Sequence, residues 1–235
     1  MTESQQRQRI LENWQTVSEE VAQAATQAGR GIDEVKIIGV TKYVDAETTA
    51  DLVDAGCTML GENRPQVLWQ KAESDALASK PITWHMIGHL QRNKLRRLLR
   101  YHPIIHSVDS RRLLDAIGEE ATTNGEVVKI LLEVNISGDA TKTGLDPETL
   151  RTILNQDPHR WIQIDGLMAM AGLGTDQQTA GEQFAAVRRL RDDLSKSSGL
   201  ELNELSMGMS GDFSEAIAEG ATMVRIGSRL FEGVM

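Results

Sequence analysis

Apolar residues in this chain gather into eight short runs, at 35–41 (VKIIGVT), 57–61 (CTMLG), 83–88 (TWHMIG), 104–108 (IIHSV), 127–136 (VVKILLEVNI), 162–168 (IQIDGLM), 202–207 (LNELSM) and 222–227 (TMVRIG). Most are continuous rather than alternating, which predicts strands covered on both faces. Between them, apolar residues recur at helical spacing over 45–55, 63–79, 91–101, 110–123, 146–156 and 177–197. A short helix is expected at 212–219, and another after Ser228. Gly56 and Gly220 suit helix ends, and Asp109 or Ser110 suits a helix start. A long helix is expected over 4–28, ahead of the first strand. Eight alternations of strand and helix imply parallel strands joined by right-handed crossovers, and they match the smaller closed (β/α)8 TIM-type barrels. An open doubly wound sheet is the alternative, since strand count does not prove closure. No linker, repeat or low-complexity stretch divides the sequence, so a single domain over 1–235 is expected.

Composition narrows the function classes. A chain of 235 residues with 40% hydrophobic and 25% charged residues can bury roughly 70% of its unfolded surface and needs no disulfide or metal staple. The net charge of −9 argues against nucleic acid or an anionic membrane as partner. Cys57 is the sole cysteine, so no internal disulfide forms. The polar N-terminus lacks a signal-type apolar run, and no segment approaches the ~20 apolar residues of a membrane span. A cytoplasmic protein is expected.

In a barrel of this kind, chemistry sits at the C-terminal ends of the strands. Strand one ends in Lys42, directly after KIIGVT. A partly desolvated amine there is nucleophilic toward aldehydes, although a lysine snorkelling from a strand end has the same pattern. Strand seven runs into Met207-Gly208-Met209-Ser210-Gly211-Asp212, and strand eight into Arg225-Ile226-Gly227-Ser228. Glycine-rich turns that open helices after strands seven and eight suit a phosphate. Arg225 lies within an apolar run, where an inward guanidinium requires an acceptor such as a pyridine nitrogen. An outward arginine against a helix is the alternative. Amine, phosphate loops and arginine together describe pyridoxal 5′-phosphate (PLP) at its aldehyde, phosphate and ring nitrogen.

The sequence resembles the pyridoxal phosphate homeostasis protein family, related to the barrel domain of alanine racemase. The resemblance is carried by GVTK ending at Lys42, LGEN ending at Asn63, WHMIGHLQRNK from Trp84 to Lys94, LEVNIS with the later KTG, GLMAM from Gly166, and LSMGMSGDFSEAIAEGATMVRIGSRLFEG over 205–233. These segments span nearly the whole chain. The resemblance implies a fold-type III barrel with PLP as a covalent Schiff base on Lys42. It implies Asn63 near the ring hydroxyl and Arg225 at the ring nitrogen. Ser210, Gly227 and Ser228 would hold the phosphate, Met207 would pack near the ring, and His85 and Ile87 would line the pocket. The chain departs from the family at His89, where proline is usual, at Tyr43-Val44 after the lysine, and at Arg64-Pro65 after LGEN. None of these departures removes a cofactor contact, but each is expected to alter the pocket mouth and any partner surface.

A non-catalytic role in intracellular PLP homeostasis and cofactor supply is therefore expected, with an amino-acid racemase of low activity as the alternative. A sugar-phosphate lyase working through Lys42 would be the reading without the resemblance. Racemisation needs acid/base groups on both faces of the substrate. The related racemases take the second from another domain, and this chain ends soon after strand eight. Tyr43 is expected to point away from Lys42, since adjacent strand residues face opposite sides. No catalytic residue is assigned. An arginine at the ring nitrogen also disfavours the proton that would make PLP a strong electron sink. PLP-dependent apo-enzymes or a regulatory protein are the expected partners, and a monomer the expected state. His85 and His89 straddle a strand end, so no metal site is expected. The basic run Arg92–Arg97 reads as a solvated helix face or a docking patch, and Met168-Ala169-Met170 as core filler.

Overall fold

The computed structural model describes residues 1–136, 143–156, 159–172 and 174–234. Ser137 and Lys142 of the LEVNIS and KTG segments lie outside the described residues. Eight parallel strands run in chain order around a closed barrel: β1 (Lys36–Val40), β2 (Met59–Glu62), β3 (Thr83–Met86), β4 (Ile104–Val108), β5 (Val128–Glu133), β6 (Ile162–Met168), β7 (Glu204–Met209) and β8 (Met223–Ile226). Closure is decided by β8 pairing with β1 from Lys36↔Met223 to Gly39↔Ile226, which removes the open-sheet alternative.

The outer ring comprises α2 (Ala46–Asp54), α3 (Pro65–Ala72), α4 (Leu95–Leu98), α5 (Arg111–Asn124), α6 (Pro147–Asn155), α7 (Gln177–Ser198) and α8 (Phe213–Ala218). After β8 the chain makes only one 3-10 turn, Ser228–Phe231, where a full helix was expected. The leading helix α1 (Glu3–Gln27) fills that gap, packing against α8, α2 and this turn. A capping box of Thr2 and Gln5 starts α1, and Ile10, Val17, Val21, Ala24 and Ala25 form its buried stripe. The Asn13 side-chain amide donates to the carbonyls of Leu230 and Glu232 at 3.2 and 3.0 Å, pinning α1 to the chain's end.

Two helices are shorter than their apolar spacing suggested. Residues 63–79 yield only Pro65–Ala72: the start is set by Arg64, which proline pushes out of helical geometry to φ −132°, ψ 127°, and the C-cap falls at Glu73. Residues 91–101 give the single α-turn α4 flanked by 3-10 turns. In this stretch Leu95 and Leu98 are buried while Arg97 lies 4.4 Å over the Trp69 ring and pairs with Glu73 at 3.0 Å. No helix of the described residues is long and apolar enough to cross a membrane.

Candidate functional site

Inward and outward positions on the first strands follow from what a side chain there touches. A Cβ on Gly39 would meet Cys57, Leu52 and Leu230, so Gly39 faces the helices. A Cβ on Gly61 would meet Ile38 and Ile87, so those three face the lumen. Alternation then turns Thr41 and Glu62 outward, where α3 covers them. There the Thr41 hydroxyl donates to Glu62 Oε1 at 2.5 Å. Lys71 Nζ of α3 donates to the same oxygen at 2.7 Å and to the Thr41 carbonyl at 2.6 Å. Glu62 and Lys71 are 0% and 5% exposed. This buried ion pair holds the chain immediately before Lys42 and immediately before Asn63. Burial pulls the Lys71 ammonium below its ordinary pKa, and the Glu62 charge opposes that shift.

Lys42 lies in a turn past β1, closed by the Val44 amide donating to the Thr41 carbonyl at 3.1 Å. Its amine is half-buried and sits 4.7 Å from the centroid of the Tyr43 ring. The expectation that Tyr43 points away from Lys42 is thus corrected: the strand ends at Val40, so strand alternation does not extend to residue 43. Asn63 follows β2, and Ile87 N donates to the Glu62 carbonyl at 2.9 Å beside it. Gly88 packs directly on Asn63, since a Cβ there would fall 2.3 Å from the Asn63 carbonyl oxygen.

Arg225 of β8 faces the lumen and is 4% exposed. Nη1 donates to the Ser206 carbonyl at 2.6 Å and to Ser206 Oγ at 2.7 Å, while Nη2 donates to the Ala169 carbonyl at 2.9 Å. No carboxylate of the described residues forms an ion pair with it. Burial lowers its pKa to about 10, with Asp212 and Glu133 opposing from a distance, so it is a cation at neutral pH. Ser206 Oγ also bonds His106 Nδ1 at 2.9 Å, and His106 Nε2 bonds His85 Nδ1 at 2.9 Å. Strands β4 and β7 are not neighbours, so this line of polar groups crosses the lumen. His85, expected to line the pocket, lies in this buried interior at 1% exposure.

At the mouth, Gly227 N donates to Ser210 Oγ at 3.3 Å, joining the loops after β7 and β8. The Gly227 backbone runs against Val40, where a Cβ would sit 3.3 Å from the Val40 Cβ. Ser228 is exposed beside it, whereas Met207 is wholly buried. Gly208, at φ 90°, sits at the register shift between Ser206 and Met209 in β7 and packs against α8, where a Cβ would fall 2.5 Å from the Ala216 Cβ. On the β5–β7 side a cavity of about 550 Å³ is lined by Glu133, Asn135, Thr143, Met170, Met209 and Asp212. Met170, expected as core filler, is 45% exposed on this cavity, while Met168 is buried. Glu133 ends β5 and accepts from Thr143 Oγ1 at 2.6 Å; burial pushes its carboxyl above the ordinary range, with that hydrogen bond opposing. His89 approaches Asp109 at 3.2 Å. Among the described residues no group of three or more His, Cys, Asp or Glu side chains is placed to hold a metal.

The donor set fits PLP. Lys42 offers an amine without a carboxylate partner among the described residues, Ser210, Gly227 and Ser228 offer hydroxyls and N–H groups, and Arg225 offers a cation. Sequence reasoning missed Glu62, Lys71, His106, Ser206 and Glu133. For His106 and Glu133 the available signal was a polar residue inside an apolar run, IIHSV and LEVNI.

A family model described as the N-terminal domain of alanine racemase matches residues 7–233. A pyridoxal phosphate homeostasis protein of Aquifex aeolicus is 38% identical over 218 residues, covering 92% of this chain and 94% of that protein. A crystal structure of a Bifidobacterium adolescentis protein shares 34% identity at a TM-score of 0.90, with 98% of both chains covered. The structure of PipY from Synechococcus elongatus with PLP bound shares 37% identity at a TM-score of 0.78, over 84% of this chain and 92% of that one. This chain belongs to the pyridoxal phosphate homeostasis protein family, on the fold of the alanine racemase N-terminal domain.

Proposed function

We propose that the chain holds PLP as a Schiff base on Lys42 and serves PLP homeostasis as a non-catalytic carrier. One observation carries the reading: Arg225 is a buried cation whose bonded partners are neutral oxygens. A desolvated charge without a counter-ion is costly, and an anionic ligand with a heterocyclic nitrogen supplies what is missing. The phosphate falls to Ser210, Gly227 and Ser228, the ring hydroxyl to Asn63, and the pocket walls to Ile87 and Met207. When bound, PLP supplies an aldehyde that condenses with amines and a ring that stabilises charge. With its pKa at about 10, Arg225 donates to the ring nitrogen and keeps a proton off it, which weakens that stabilisation. An amino-acid racemase needs a second acid/base group across the ring from Lys42. Tyr43 sits beside the amine, and the 4.7 Å between them leaves no room for a pyridine ring. Delivery to PLP-dependent apo-enzymes, with a cytoplasmic monomer as the working unit, completes the reading.

The test is a visible spectrum of the protein supplied with PLP, followed by borohydride reduction and peptide mass analysis. The expected result is a yellow protein with the reduced PLP mass on Lys42 and a colourless Lys42→Ala variant. Wild type that gains no visible band when PLP is added overturns the reading.

A further inference from the structure

The line of polar groups across the lumen has a direction. Arginine has donors only, so Ser206 Oγ can only accept from Arg225 Nη1, at 2.7 Å. The hydroxyl carries one hydrogen, and its other bonded neighbour among the described residues is His106 Nδ1 at 2.9 Å. That hydrogen therefore goes to His106 Nδ1, which must present a lone pair. The proton of His106 then sits on Nε2 and is donated to His85 Nδ1 at 2.9 Å. His85 in turn carries its proton on Nε2, a buried atom without a partner among the described residues. The opposite polarity would strand both the Ser206 hydroxyl hydrogen and the His85 Nε2 lone pair. One unmet group is better than two, because each unmet buried polar group is penalised.

We infer that Ser206 and His106 are positioning residues for Arg225, linked in a one-way hydrogen-bond chain, Arg225 to Ser206 to His106 to His85, that fixes both imidazoles as Nε2–H tautomers. The inference rests on the PLP reading only for its last consequence, that the guanidinium is aimed at a ring nitrogen. Several observations support it independently. Ser206 binds Arg225 through its carbonyl as well as its hydroxyl, and the Ala169 amide donates to that same carbonyl at 3.1 Å. The guanidinium is thereby gripped between the end of β6 and the middle of β7. Burial holds both imidazoles neutral: His85 falls to about 4, with the Lys36 charge adding to the effect and Glu204 opposing. His106 falls well below its ordinary value, with His85 and Arg225 adding. A second proton on His106 would place two donors against Ser206 Oγ and a cation beside Arg225.

The experiment uses the full chain with 15N-labelled histidine and arginine, without PLP, at pH 7. Long-range proton–nitrogen spectra are expected to show His85 and His106 as Nε2–H tautomers, and the Arg225 Nη protons as separate, slowly exchanging signals. In Ser206→Ala, His106 is expected to lose its single tautomer and the Arg225 Nη signals to average, with the fold retained by circular dichroism. A His106 Nδ1–H tautomer, a charged imidazole at pH 7, or Arg225 signals unchanged in Ser206→Ala overturns the inference. A parallel titration with PLP is expected to show about a tenfold loss of affinity in Ser206→Ala, equivalent to about 1.4 kcal/mol. If wild type fails to bind PLP, the cofactor reading fails while the tautomer measurement still decides the chain.

Discussion

Replacing Lys71 by methionine removes a charge that sits on the far side of the sheet from the proposed PLP site, yet it should disturb both stability and Lys42. Lys71 is 5% exposed and Glu62 0%, and Lys71 Nζ makes the bonds that tie α3 to β1 and β2. Without it Glu62 is a buried carboxylate supported only by the Thr41 hydroxyl, because its Oε2 already lacks a partner among the described residues. Removing one member of a buried pair costs about 3–5 kcal/mol. At about 2–4 °C per kcal/mol for a domain of this size, the melting temperature should fall by roughly 6–20 °C. Replacing Glu62 by leucine together with Lys71→Met removes the stranded charge, so the double variant should lose markedly less than the sum of the single losses. The Thr41 carbonyl loses its anchor in either background, and PLP uptake on Lys42 should be slower in both. Thermal and urea unfolding followed by circular dichroism measures the first effect, and growth of the visible band the second. A loss below about 1 kcal/mol in Lys71→Met, or strictly additive single variants, would refute the account of a buried pair that clamps the strand end.

Three further outcomes are expected. His85 has a folded pKa of about 4 against about 6.5 in an unfolded chain, so between those values the unfolded chain binds the proton and the fold does not. Its contribution is complete above pH 6.5 and lost as pH falls toward 4, by up to about 3 kcal/mol; His85→Gln should flatten that part of the pH–stability curve, and a curve identical to wild type would contradict this. Gly88→Ala places a methyl 2.3 Å from the Asn63 carbonyl, where backbone rather than a flexible side chain must yield. A loss of about 1–3 kcal/mol, with weaker PLP binding, is expected from unfolding curves and titration. Ser210→Ala should weaken PLP binding and also blunt competition by inorganic phosphate, while leaving borohydride trapping on Lys42 intact at saturating PLP.

The barrel was legible because all eight apolar runs are strands, a pattern that depends only on burial by both layers. Closure, expected from the count of eight units, is borne out by the β1–β8 pairing, which no single residue's character encodes. Helix ends failed where local stereochemistry overrode amphipathic spacing, as at Arg64 before Pro65. In the candidate site, Lys42, Ser210, Arg225 and Gly227 stood out because they sit at strand ends or interrupt an apolar run. Glu62 and Lys71 did not, because each has an ordinary polar context in sequence and they meet only when α3 packs over β1 and β2. His106 and Ser206 are a hundred positions apart, a contact that no local pattern encodes. Tyr43 was misplaced because an alternation rule was carried past the residue at which the strand stops.

The two ends of the site are built on opposite principles. Arg225 is desolvated, gripped through three hydrogen bonds, and backed by a chain that runs to β3. Low local dielectric strengthens each of those contacts and fixes the group before a ligand arrives, which lowers the ordering cost of binding. Lys42 is only half-buried, and the Tyr43 beside it is 70% exposed. An enzyme that carries reactive intermediates on its cofactor gains by shutting water out of the reacting end. A carrier would have the reverse need, because release of the cofactor from the lysine would require water or another amine to reach the reacting end. On the proposed reading, a buried grip at the ring and a half-buried lysine at the mouth would let one part of the pocket set retention and the other set exchange, a division of labour that would suit custody of PLP better than turnover of a substrate.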